Sequence, residues 1–404
     1  MSVEIRPAAP EELLRALAPI SHYFGSSGPP TEERMQGVVR VLPEGRMHAA
    51  FDGSAIVGGG GAFEFELTVP GGRVPAAGVT VVGVLPTHRR RGILRDLMRA
   101  QLDDFRARAE PLAVLWASEG RIYPRFGYGL ASLCGDIDIR RTHAAYARPI
   151  EWVGEARLVP LGEAHELLAG VYKRVAAETP GMFARTPEWW QARVLADPEW
   201  RRFGGGEEAC AVLEVDGRPE AYALYRVNFA FENGLPTGAT VVIEAMGASP
   251  AAAAAVWRYL FDLDWMQRVQ AFHLPIDHPL FLLLAEPAEL RFRAGDALWL
   301  RLVDVEAALA ARSYAGDGDV VVEVSDEFCP WNEGRYRLGA DAGHTDDAAE
   351  LRLDVTALAS VYLGGFTFAQ LARAERVEEV ADGALARADA LCRTDRAPWC
   401  PEIF

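Results

Sequence analysis

Along the chain, short apolar runs alternate with segments whose apolar residues recur every three or four positions, which predicts strands interleaved with helices. Glu11–Ala18 reads as a first helix, with Leu13, Leu14 and Leu17 on one face and Pro19 at its end. Met47–Phe51, Ile56–Gly61 and Phe63–Thr68 read as strands of a meander. Val79–Leu85 is a β-branched run bounded by Gly78 and Pro86, the pattern of a buried strand. After Gly92, the residues Ile93, Leu94, Leu97, Met98, Leu102 and Phe105 share one helical face. Leu112–Ala117 and Leu130–Ile139 predict two more strands.

A looser version of the same order follows. Ala209–Val215, Ala221–Val227 and Ala239–Ala245 read as strands, and Ser249–Phe261 as a helix with Ser249 and Pro250 suited to N-cap and first-turn positions. From about Gly295 the character changes. Leu298–Leu302 is a strand pattern, and Val305–Ala311 a helix for which Asp304 suits the N-cap. Val320–Val324 and Tyr336–Leu338 read as paired strands, and Leu358–Tyr362 and Phe368–Ala374 as short helices. A length of 404 residues calls for two or three domains.

Between the Val79–Leu85 strand and its helix lies Arg89-Arg90-Arg91-Gly92. A turn of this kind aims backbone N–H groups, a helix N-terminus and guanidinium groups at one point, which suits a phosphate or pyrophosphate. It lacks the GK[ST] ending of a nucleoside-triphosphate loop, and no G-x-G-x-x-G is present, so neither ATP nor a dinucleotide is the natural ligand. The corresponding turn of the second segment, Ala245-Met-Gly-Ala-Ser-Pro250, has no arginine and reads as a degenerate copy.

The formal charge of −16 argues against a general nucleic-acid or anionic-membrane surface and is compatible with a cationic substrate. Met1–Pro7 leads into no apolar leader, and no run approaches the roughly 20 apolar residues that span a bilayer. Five scattered cysteines form no C-x-x-C pair, so a disulfide framework or a zinc site is not expected and a reducing cytoplasm fits. Cys400 reads as either a small apolar filler or a reactive thiol.

Arg89-x-x-Gly92 after a strand resembles the acyl-CoA pyrophosphate loop of the GNAT acetyltransferase superfamily, with Leu94 where many members carry glycine or alanine. The longer string Val84-Leu-Pro-Thr-His-Arg-Arg-Arg-Gly-Ile-Leu-Arg95, followed by Ala117-Ser-Glu-Gly-Arg-Ile-Tyr-Pro-Arg-Phe-Gly-Tyr-Gly129, resembles one branch closely, the enhanced-intracellular-survival (Eis) family of N-acetyltransferases. Trp299–Leu309 is similar to the start of the sterol-carrier-protein-like domain that closes Eis chains.

The resemblance implies an α/β (α+β) chain of tandem GNAT folds, the second degenerate, followed by a sterol-carrier-protein-like domain. The expected boundaries are 1–147, 148–293 and 294–404. It implies acetyl-CoA as acyl donor, no metal, and transfer to amines of polycationic molecules such as aminoglycosides. It also implies a homo-hexamer.

Direct attack by a neutral amine on a thioester needs no Ser-His-Asp or Cys-His arrangement. It needs a proton for the leaving thiolate, and Tyr123, opening Tyr-x-x-x-Gly-aromatic, matches the family's general acid. The residues alone also allow a packed aromatic there, and Tyr128 is assigned to the core. The resemblance further implies that the free carboxylate of Phe404 serves as base. The residues alone equally allow the stiff tail Ala397–Phe404 to dock only for packing. Cofactor contacts are expected from Val82, Gly83 and Val84 along the pantetheine, and from Arg89, Arg90, Arg91, Gly92, Ile93, Leu94 and Arg95 at the pyrophosphate. Ser118 and Glu119 are expected beside the cofactor. Arg89–Arg91 also permit the plain reading of a solvated basic turn.

On the substrate side, Ser21-His-Tyr-Phe24 occupies a region where some relatives carry an acidic residue, and the ending Glu402-Ile-Phe shifts the acidic residue by one place relative to Glu-Phe endings. Two rival readings remain: an acyl-CoA- or lipid-binding protein, and an N-acetyltransferase of peptide or protein lysines.

Overall fold

A computed structural model describes residues 3–23, 25 and 30–404. The chain divides into two compact units. One contains Met1–Ser132, Asp296–Pro398 and Ile403–Phe404; the other contains Leu133–Gly295 and Trp399–Glu402.

The first unit is built on a seven-stranded sheet in the order Glu4–Pro7, Met47–Asp52, Ala55–Val69, Gly72–Val84, Leu112–Trp116, Leu298–Leu302, Gly129–Leu130. The two strands read separately at Ile56–Gly61 and Phe63–Thr68 are one strand, Ala55–Val69, paired along its length with Gly72–Val84. Its glycines carry no polarity signal, so the alternation was easily broken in the sequence. The helix Ile93–Ala107 buries Ile93, Leu97, Met98, Leu102 and Phe105. Met98, Leu102 and Phe105 form one core with Val79, Ala113 and Leu115. Near the N-terminus, Pro19 does not end a helix. It lies in the first turn of a second one, Ala18–Tyr23, after Leu13–Ala16, as expected for a residue that lacks the N–H unused in a first turn.

Two strands pair across the expected boundaries. Leu298–Leu302, expected to open the C-terminal domain, lies in the first sheet between Leu112–Trp116 and Gly129–Leu130. The Leu130–Ile139 run is split. Gly129–Leu130 ends the first sheet, while Leu133–Arg140 pairs with Met266–Pro275 in the second. The compact units therefore do not follow 1–147, 148–293 and 294–404.

The remainder of the first unit carries a five-stranded sheet in the order Gly343–His344, Gly334–Gly339, Asp319–Ser325, Leu351–Asp354, Val377–Glu379. Asp304 caps the helix Val305–Ala311 by accepting from the Ala307 N–H at 3.0 Å. The helix Val355–Tyr362 approaches the first sheet so closely that a Cβ on Gly129 would lie 2.0 Å from the Thr356 carbonyl oxygen.

The second unit has its own seven-stranded sheet, in the order Arg293–Asp296, Leu133–Arg140, Met266–Pro275, Gly238–Gly247, Arg218–Asn228, Glu208–Val215, Glu155–Val159. The helices Leu161–Ala177 and Pro250–Asp262 accompany it. Within this unit the side chain of Arg185 is fully buried. It bonds Glu244 at 2.9 and 2.5 Å and Glu402 at 2.5 Å, and Trp189 donates to the second Glu402 oxygen at 2.7 Å. All five cysteines are buried, and none is in a disulfide. Cys400 contacts the Glu402 carbonyl and is fully enclosed, the filler reading of that thiol. Among the described residues no helix is long and apolar enough to cross a membrane, and no group of three His, Cys, Asp or Glu is arranged to hold a metal.

Candidate active site

The Gly72–Val84 and Leu112–Trp116 strands run parallel, yet they pair only at Ala76–Leu112, Ala77–Ala113 and Gly78–Val114. Beyond Gly78 they part. Val81 sits in the left-handed region at φ 49°, where a β-branched residue is a conformational outlier, and it marks the point where the strand bends away. On its other edge the strand stays bonded to Ala55–Val69 as far as Val84. Val82, Gly83 and Val84 thus turn a row of backbone groups toward the gap, the edge that an extended amide-bearing arm can join as an added strand. Gly83 is required by packing: a Cβ there would meet Ile20 backbone atoms at 2.9 Å. Tyr23, on the same helix as Ile20, donates to the Val84 carbonyl at 2.7 Å.

The strand leads into the arginine turn. Arg90 (φ 63°) and Gly92 (φ 83°) are both left-handed, and Gly92 serves as N-cap of the helix Ile93–Ala107 with no side chain to cap it. The N–H groups of the first turn have no intrahelical acceptor. Together with the helix dipole they make an anion site.

A cavity of about 920 Å³ lies over these elements. Val82, Gly83, Val84, Arg89, Arg90, Gly92, Ile93, Leu94, Arg95, Ser118, Glu119 and Tyr123 line it. Arg91 does not. Its guanidinium turns to Asp52 at 3.4 Å, where His88 also comes within 3.5 Å. Through Asp52, Arg91 anchors the turn from behind, and His88 helps shape it.

Tyr123 opens a short helical turn, Tyr123–Phe126, that ends on Gly127 at φ 83°. A Cβ on Gly127 would lie 2.1 Å from a nitrogen of Arg301, whose buried guanidinium pairs with Asp326 at 2.5 Å. Tyr123 is buried yet reaches the cavity, and burial, assisted by the nearby Glu119, pushes its phenol up to about 12. Tyr128 is fully enclosed with its ring 5.9 Å from that of Tyr123, a core position.

Phe404 is buried with its ring edge-on to Phe65 at 4.9 Å. Phe65 in turn covers Gly78, where a Cβ would come within 2.1 Å of its ring. The chain end therefore rests over the residue at which the two strands part. Phe404 is not one of the residues lining the cavity. Glu402 spends its carboxylate on Arg185 and Trp189. Of Ser21–Phe24, Ser21 is buried, His22 and Tyr23 are exposed, and Phe24 lies outside the described residues.

The cavity also has walls that were not read from the sequence as cofactor contacts: Ile20, Tyr23, His88, Arg121, Ile122, Arg125, Phe126 and Phe328. Arg121 and Arg125 extend a visible basic pattern, and that excess of arginine around Tyr123 was a usable signal. Phe328 lies 205 positions from Tyr123 in the chain and gave none.

A strand that parts from its parallel neighbour, an arginine-rich turn at a bare helix N-terminus and a tyrosine on the short helical turn that follows the next strand together define a GNAT acyltransferase site. Accordingly, the chain matches the acetyltransferase (GNAT) domain family at residues 4–131 and a second such family at 181–302, and the sterol carrier protein domain family at 305–401. It is 36% identical to the N-acetyltransferase Eis of Mycobacterium tuberculosis over 85% of this chain and 84% of that one. It is 43% identical to an uncharacterized N-acetyltransferase of Streptomyces avermitilis over 94% of each. The crystal structure of Eis1 from Mycobacterium abscessus matches with a TM-score of 0.87 at 36% identity over the whole of both chains. The chain belongs to the Eis family of GNAT N-acetyltransferases.

Proposed function

We propose that this acetyltransferase moves the acetyl group of acetyl-CoA to an amine of a polycationic molecule, aminoglycosides included, by direct attack. The gap beyond Gly78, closed at one end by the arginine turn and at the other by Tyr123, carries this reading. The residues fit the donor. A bare helix N-terminus with Arg89, Arg90 and Arg95 suits a pyrophosphate, and the edge at Val82–Val84, which the parallel strand does not reach, suits an amide-bearing arm.

In this reading Tyr123 is the general acid. With its phenol held near 12, it remains protonated throughout the working range. It is then a weaker acid than a thiol of ordinary pKa near 8.5, so it first donates a hydrogen bond to the departing sulfur and transfers the proton only as charge collects there. The terminal carboxylate of Phe404 is the proposed base. A carboxylate of ordinary pKa near 3.5 serves best by holding the cationic amine and taking its proton as attack proceeds. The acidic balance of the chain favours cationic substrates.

The test is release of free thiol from acetyl-CoA against a panel of aminoglycosides, polyamines and lysine peptides. Turnover with several polycationic small molecules is the expected result. Turnover confined to peptides would replace the substrate class, and silence across the panel with acetyl-CoA still bound would favour a binding protein.

A further inference from the structure

Phe328 belongs to the sterol-carrier-like region, yet it stands in the wall of the cavity beside the Tyr123 turn. Its ring meets that of Phe126 at 5.2 Å. Its position is built rather than incidental. Asp326 accepts from the Cys329 N–H at 3.0 Å, closing a tight turn around Phe328. The other Asp326 oxygen is held by Arg301 at 2.5 Å and Asn332 at 3.0 Å. Arg99 lays its guanidinium 4.1 Å from the Phe328 ring and donates to the Phe328 carbonyl. Arg99 lies on the Ile93–Ala107 helix, six residues after Ile93. At 1.5 Å per residue, that is about 9 Å along the axis from the anion-binding end. The helix that offers its N-terminus to a pyrophosphate therefore also fixes an aromatic ring farther along the same cavity.

We propose that Phe328, set by Arg99 and the Asp326 turn, is an acyl-CoA contact, so that the sterol-carrier-like region forms part of the donor site. An apolar ring at this distance from the arginine turn suits the uncharged portions of the donor, not its phosphates. Arg99 and Asp326 are positioning residues. The inference rests on the cavity being the acetyl-CoA site, and the experiment separates the two.

Calorimetric titration of the full chain with acetyl-CoA should give measurable binding for the parent protein. Phe328→Ala should weaken it about tenfold, as expected for loss of a partly buried aromatic contact. Phe328→Leu, which keeps most of the apolar bulk, should lose about half that effect or less. Because Phe328→Ala also opens the core, hydrogen exchange on the unmodified protein provides a second readout. Acetyl-CoA should slow exchange at the amides of Asp326–Trp331. Affinity within twofold of the parent in a folded Phe328→Ala, or exchange at 326–331 unchanged by saturating acetyl-CoA, overturns the proposal. A folded parent that binds no acetyl-CoA overturns the cavity reading itself.

Discussion

The two GNAT-like regions use the same order of strand, turn and helix, and they differ in what fills the gap between parting strands. In the first, Gly72–Val84 leaves its parallel neighbour after Gly78, and the gap opens into the cavity. In the second, Gly238–Gly247 pairs with Met266–Pro275 only as far as Val242–Ala271, so its strands part as well. There the chain's own tail takes the space. The Trp399 indole donates to the His273 carbonyl on one parting strand at 2.6 Å, and Glu244 on the other reaches Glu402 through Arg185.

The helix ends differ in the same sense. Gly92 leaves the first helix uncapped, whereas Ser249 accepts from the Ala252 N–H at 3.2 Å. At Gly247 a Cβ would meet the Ala253 nitrogen at 2.3 Å, so the second turn lies flat on its helix with no room for a phosphate. A bare N-terminus is a liability for folding and an opportunity for an anion; the second copy satisfies its backbone with its own side chain.

Six substitutions and one C-terminal extension sharpen or break this contrast. Tyr123→Phe, in the open copy, should lower kcat by about 10²–10⁴-fold with acetyl-CoA affinity spared. Steady-state kinetics beside calorimetry tests this, and a near-normal rate would remove Tyr123 as the acid. Because burial raises this phenol to about 12, the protonated form persists through pH 10, so kcat should show no alkaline fall assignable to Tyr123 below that pH. A loss of kcat near pH 9 that vanishes in Tyr123→Phe would contradict the raised value.

Arg185→Leu, in the filled copy, should cost about 3–5 kcal/mol in urea unfolding, since it leaves the buried Glu244 and the half-buried Glu402 with their shared cation gone. An unchanged midpoint would show that the network contributes nothing to stability. Appending residues after Phe404 should reduce kcat about a hundredfold if the terminal carboxylate takes the proton; an extended protein of full activity would reject that role.

Arg89→Ala and Arg90→Ala, both at exposed positions, should each raise KM for acetyl-CoA about tenfold or less with kcat held. Arg91→Ala should do less, because that side chain faces Asp52. Equal effects at all three would mean the turn acts only as diffuse charge. The smallest effect belongs to Ser249→Ala, about 1 kcal/mol of stability by thermal unfolding with KM and kcat unmoved. A changed KM there would mean the second turn still serves the site.

The sequence by itself determined the local pieces. Apolar periodicity and caps made the arginine turn, its helix and the Ser249 and Asp304 N-caps readable, because each depends on residues within a few positions of one another. The resemblance of two short strings added the donor and the family. Tertiary structure alone decided which strands pair across long separations. Leu298–Leu302 enters the first sheet and Leu133–Arg140 the second, and neither carries a local mark of its partner. It also decided that Arg91 faces Asp52, that the tail closes the second gap while Phe404 rests on Phe65, and that Phe328 enters the wall of the Tyr123 cavity. The physical reason is common to all four. A strand edge, a buried cation or an apolar ring is satisfied by any partner of the right chemistry, and only the folded chain selects which partner comes within reach.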